Sequence, residues 1–150
     1  MEQKLQERAE EFARVLTAKN RARWRHAERE MFIVQKHTAG QKYVRIVSDD
    51  GNGRGGSVHC FISTETGGVH KSAGWTSPAR DRNGKVYQAK YNLLDDASFE
   101  ALLFNCAGNG GYLYANAPVK NPPVEKTIND VIREIHEKRI ARETADKVVV

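Results

Sequence analysis

Gly51, Gly53 and Gly56 stand at the spacing of a dinucleotide-binding fingerprint, Gly-x-Gly-x-x-Gly. That fingerprint works because a helix begins directly after the glycines and offers its N-terminal N–H groups to a pyrophosphate. Here Ser57-Val-His-Cys-Phe-Ile-Ser63 follows, an alternating run that reads as a strand, so Asp49–Gly56 reads as a hairpin turn. A P-loop fails as well, because no Gly-Lys-Ser/Thr closes the run. Arg54, between the glycines, remains as a residue able to bend onto a phosphate or a protein groove.

His59, Cys60 and His70 supply the parts of a thiol nucleophile and its base. Neighbours on a regular strand point to opposite faces, which separates His59 from Cys60. His70 lies on the next strand, and no third group is placed to orient it. His70-Lys71-Ser72 is a single His-x-Ser, where a two-histidine phosphodiesterase needs two such motifs. Asp49, Asp50, Asp81, Asp95 and Asp96 could serve a magnesium-dependent nuclease, but both adjacent pairs have local uses, as turn and helix-cap residues. The expectation is therefore no enzyme, no catalytic residue, no metal, no cofactor and no small-molecule substrate.

Binding chemistry is better represented. Lys19, Arg21, Arg23, Arg25 and Arg29 surround Trp24 with only one acid between them, which joins charge for phosphates to an aromatic able to stack on a base. Their alternate spacing spreads them around a helix instead of along one face. Lys71, Arg80 and Arg82 form a second basic set, with Lys85 and Lys90, beside Trp75, Tyr87 and Tyr91. Lys71…Trp75…Pro78 reads as a corner folded back by a buried tryptophan and a rigid proline.

The elements that carry these residues follow from periodicity. Leu5, Ala9, Phe12 and Leu16 recur at helical spacing, which predicts a basic amphipathic helix over residues 1–30. Met31–Val34, Lys42–Ser48, Ser57–Ser63 and Val69–Ala73 read as strands of an antiparallel meander with hairpin turns between them. Gly74–Gly84 is expected as a long irregular loop and Lys85–Tyr91 as a short strand. Asp95 or Asp96 should cap a helix ending near Cys106 and Gly108. Gly111–Ala115 is expected to be a last strand closing the sheet. The resulting class is α+β: a small antiparallel sheet of four to six strands with one packed helix makes a core over 31–117.

Pro118–Pro123 then forms a stiff tether, and residues 118–150 end in a further helix. Thr127-x-x-Asp130 is a capping box with Asp in place of Glu, opening a helix over Ile128–Lys147. Ile128, Val131, Ile132 and Ile135 make its apolar stripe, a surface for this domain, a second copy or a partner.

The whole chain of 150 residues carries a net charge of +5 and has two cysteines, too few for a disulfide framework. Its mean hydropathy of −0.65 leaves a core of modest size. The acidic beginning, MEQKLQERAEE, does not read as a signal peptide, and no run approaches a membrane span.

The segment Ser57-Val-His-Cys-Phe-Ile-Ser-Thr-Glu-Thr-Gly-Gly-Val-His-Lys-Ser-Ala-Gly-Trp-Thr-Ser-Pro-Ala-Arg80 resembles one that recurs in a family of small bacteriophage proteins, with His70 where that family favours an aromatic and Arg80 where it favours Lys. The likeness spans about residues 43–91. It implies a phage origin, and a place in the host cytoplasm or the virion, but carries no function. Three roles remain: a virion or assembly component acting through its terminal helices on a protein partner or a second copy, a DNA- or RNA-binding accessory protein, and an inhibitor of a host enzyme or defence system.

Overall fold

A computed structural model describes residues 3–35, 42–51, 55–122 and 126–148. Arg54 lies outside them. Helix α1 spans Gln3–Arg23 and buries Leu5, Ala9, Phe12 and Leu16, the predicted stripe, together with Val15. Phe12 is completely covered, which is worth roughly 2–3 kcal/mol of transfer free energy. The helix stops short of Glu30. Trp24 turns to extended backbone, and Arg25–Ala27 forms a separate 3-10 turn. Arg21 Nε donates to the Glu30 carbonyl at 3.0 Å and Asn20 Nδ2 to the Glu30 carboxylate at 2.8 Å, so the returning chain is tied to the helix end.

Five strands follow: β1 (Met31–Gln35), β2 (Tyr43–Asp49), β3 (Gly55–Ser63), β4 (Gly68–Lys71) and β5 (Tyr91–Asn92). They pair antiparallel in chain order, the meander expected from the alternating runs. The β3–β4 turn depends on Gly67, whose φ of +80° admits an L side chain only under strain. Helix α2 (Asp96–Asn105) begins on Asp95, whose side chain accepts the Ala97 N–H at 3.1 Å. Helix α3 (Ile128–Val148) begins on the capping box: Thr127 N donates to Asp130 Oδ2 at 3.0 Å and Asp130 N to Thr127 Oγ1 at 3.2 Å. The architecture is α+β.

The main core lies on one face of the sheet, where Leu5, Phe12 and Leu16 meet Ile46, Cys60, Ile62, Leu93 and Leu102. A smaller cluster of Val47, Val58, Phe61 and Tyr43 occupies the opposite face. The connection from β4 to β5 lies near that second face and is irregular over Gly74–Gly84, as expected, with isolated bridges tying it down. Bridges join Ser72 to Pro78 and Arg80 to Val86. Within it Pro78 is buried, but Trp75, expected to be buried, is 42% exposed.

Gly111–Ala115 does not close the sheet. Gly110–Leu113 is a 3-10 turn, because the Asn109 side chain accepts the Gly111 N–H and bends the backbone at two adjacent glycines. Lys90 Nζ then gathers the carbonyls of Tyr112, Tyr114 and Ala117, which fixes the chain as a coil.

A basic cleft as candidate functional site

The expected basic helix end is divided by the fold. Lys19 is 4% exposed and is not a surface residue. Its Nζ donates to the carbonyls of Leu103 (2.5 Å), Phe104 (2.9 Å) and Cys106 (3.0 Å). The last carbonyls of a helix lack partners and carry the negative end of its dipole, so an ammonium is well suited there. Lys19 therefore joins α1 to the end of α2 and is withdrawn from the binding set. Burial lowers its pKa, against the Cys106 thiol beside it.

Arg23 and Trp24 stay at the surface. Trp24 is 43% exposed, with the Arg23 guanidinium 5.7 Å from its ring centroid and His26 at 5.9 Å. Arg21, Arg25 and Arg29 are exposed, while Arg23, with Lys19 beneath it, lines a cavity together with cations from other elements. That cavity, of about 520 Å³, lies between the ends of α1 and α2 and one face of α3. Lys120, Lys138, Arg139 and Arg142 line it together with Arg23, and no carboxylate does so among the described residues.

Helix spacing explains the arrangement. Val131, Ile135, Lys138, Arg139 and Arg142 recur at three and four residues and occupy one face of α3. The first two are half-buried against the α1–α2 junction, and the face turns basic beyond them. Ile128 packs on the main core and Ile132 is half-buried, so the apolar stripe is used largely within the chain. Arg139 anchors the helix, its Nη1 donating to the Arg21 carbonyl at 3.0 Å. Arg139 Nε is buried and makes no hydrogen bond among the described residues; Glu143 stands 3.8 Å away. Gly108 closes the floor, since any side chain there would strike Asn20 of α1.

The second basic set does not join this cleft. Lys71 lies 3.8 Å from the centroid of the Tyr114 ring, Arg80 Nη1 donates to the Gly84 carbonyl at 2.9 Å, and Arg82 is exposed at the tip of the β4–β5 connection.

The cysteine and histidine of β3 need a correction. Ile46 pairs with Cys60 and Val47 with Val58, so His59 is the extra residue of a β-bulge. The bulge turns His59 to the helix-covered face, the face of Cys60, where its ring meets Phe32 at 5.2 Å and Phe12 at 6.4 Å. Its Nε2 lies 2.6 Å from the Tyr112 hydroxyl. Burial lowers the His59 pKa to about 4 and pushes the Cys60 thiol up. A thiol nucleophile needs the reverse shift. Burial likewise raises Cys106 to about 11.

Residues 1–115 match a family described as "Family of unknown function (DUF7717)". The chain belongs to this family. The match takes in α1, the sheet and α2, while Lys120 and α3 lie beyond it. No curated protein and no solved structure matches the chain. Among the described residues, no helix is long and apolar enough to cross a membrane, and no group of three or more His, Cys, Asp or Glu is placed to hold a metal ion.

Proposed function

We propose that this member of the family is a non-enzymatic nucleic-acid-binding protein, and that the cleft between α1, α2 and α3 holds the phosphate backbone. The observation that carries the reading is the convergence of Arg23, Lys120, Lys138, Arg139 and Arg142 on one cavity with no lining carboxylate among the described residues. Like charges gathered this way repel one another, and a polyanion relieves that repulsion while releasing its own counterions. Trp24, exposed beside Arg23, adds a surface on which a base can stack.

The test is binding of labelled single-stranded DNA, RNA and duplex DNA followed by fluorescence anisotropy at several salt concentrations. The wild-type chain should bind with an affinity that falls steeply with salt. Loss of all binding at low salt would discard the reading.

A second reading, an assembly component of a bacteriophage particle, has one supporting observation. Among the residues of α3 whose burial is described, none is fully buried, and Ile140 is 44% exposed, so the helix keeps apolar surface for a partner or a second copy. Light scattering tests it: a monomer at every concentration, absent from purified particles, would end it. Phage origin, implied by the resemblance over residues 57–80, belongs to the same proposal.

A further inference from the structure

On the sheet face opposite the main core lies a second concave site, of about 280 Å³. Lys42, Tyr43, Arg45, Phe61, Trp75 and Thr76 line it. Arg45 and Phe61 are direct cross-strand partners on β2 and β3, and the Tyr43 ring meets Phe61 edge-on at 5.9 Å. The β4–β5 connection brings Trp75 over these side chains. Arg45 Nη1 donates to the Trp75 carbonyl at 2.6 Å and holds that loop against the sheet.

Three aromatic rings, two cations and two hydroxyls, with no lining carboxylate among the described residues, select a particular ligand chemistry. A cationic guest would face Lys42 and Arg45 unopposed, and a purely aliphatic one would leave both charges beside apolar surface. A planar ring carrying a nearby negative charge satisfies both kinds of wall at once. The volume sits at the lower limit of the roughly 300–1,000 Å³ of pockets for drug-sized ligands, which suits one base with its sugar and phosphate.

We propose that this site takes a single nucleotide, its base stacked on Trp75 and Tyr43 and its phosphate held by Lys42 and Arg45. The nucleotide is either free or one unit of a single strand. The site lies on the other side of the sheet from the basic cleft and stands independently of that cleft's function.

The chain has two tryptophans, Trp24 and Trp75, so Trp24→Phe leaves Trp75 as the sole indole reporter. In that background Arg23→Gln, Lys138→Gln and Arg142→Gln also disable the first cleft. Adenosine 5′-monophosphate and thymidine 5′-monophosphate should quench Trp75 saturably. Ribose 5-phosphate should not, and adenosine should bind several-fold more weakly. Lys42→Ala should weaken the nucleotide about three-fold or more. Trp75→Ala, at an exposed position that the fold does not require, should weaken it about ten-fold by calorimetry. An oligothymidylate binding ten-fold tighter than the monophosphate assigns the site to a strand; equal affinity assigns it to free nucleotide. Absence of saturable binding at millimolar nucleotide, with a native circular dichroism spectrum, overturns the proposal. So does equal binding of ribose 5-phosphate, which would mark a bare anion site.

Discussion

Replacing Lys19 by methionine keeps an unbranched apolar stem and removes the ammonium that bonds the carbonyls of Leu103, Phe104 and Cys106. Two of these hydrogen bonds are buried, so the freed carbonyls regain little water. Each buried acceptor left unsatisfied costs about 1–3 kcal/mol. The substitution also removes the desolvation cost of a buried cation, which offsets part of that loss. Relaxation of the α2 end reduces both terms, and the net expectation is a loss of about 2–4 kcal/mol. In urea unfolding followed by far-ultraviolet circular dichroism, the midpoint should fall by about 1–2 M. Arg25→Ala, at an exposed position, should stay within about 0.5 kcal/mol of wild type. A Lys19→Met protein as stable as wild type would refute the assignment of Lys19 as the bond between α1 and α2, and would return it to the candidate binding residues.

His59, buried and neutral, has its pKa depressed from 6.5 to about 4, so its contribution is complete above pH 6.5 and is lost as pH falls toward 4. Wild-type stability should drop by about 2 kcal/mol between pH 7 and pH 5 from this group, and His59→Gln should flatten that part of the profile. A slope in the variant equal to that of wild type would show that other groups are responsible. Thr127→Ala breaks the capping box and should cost about 1 kcal/mol locally, read as faster amide exchange confined to the first turns of α3; unchanged exchange would count against the cap. Gly67→Ala places a methyl at φ +80° against Asn92 and Leu94 and should destabilise by more than about 1 kcal/mol in thermal unfolding. A neutral result there would mean that the β3–β4 turn adopts another form.

Much of the fold was legible because its signals are local. The spacing of Leu5, Ala9, Phe12 and Leu16, the alternation in β2 and β3, the cap at Asp95 and the Thr127–Asp130 box each depend on a few neighbouring residues, and each has its place in the structure. The misplacements share a different cause. Lys19 reads as one more surface cation until the end of α2, more than 80 residues later, arrives beside it. His59 changes face through a bulge that alternation does not encode. Gly111–Ala115 has strand composition, but Asn109 and Lys90 impose a turn from outside the segment. Trp75 was expected inside a corner folded back at Pro78, yet the β4–β5 loop holds it 42% exposed.

The candidate site was half legible. Arg23 and Trp24 were expected, whereas Lys120, Lys138, Arg139 and Arg142 were not. A signal for three of those four existed: continuing the α3 stripe past Ile135 at spacings of three and four leads directly to Lys138, Arg139 and Arg142. That α3 turns this face toward the end of α1 is a tertiary fact, recorded by the Arg139–Arg21 hydrogen bond.

The most direct test of the basic cleft is the salt dependence of nucleic-acid affinity in the wild-type chain and in a variant carrying Arg23→Gln, Lys138→Gln and Arg142→Gln. Each phosphate contact contributes about 0.7 to the slope of log affinity against log salt for a single strand, so the variant should lose roughly 2 from that slope. It should also bind at least ten-fold more weakly at low salt while unfolding at the wild-type temperature. Equal slopes and affinities for the two proteins, with both folded, would contradict the assignment of the cleft between α1, α2 and α3 as the nucleic-acid site.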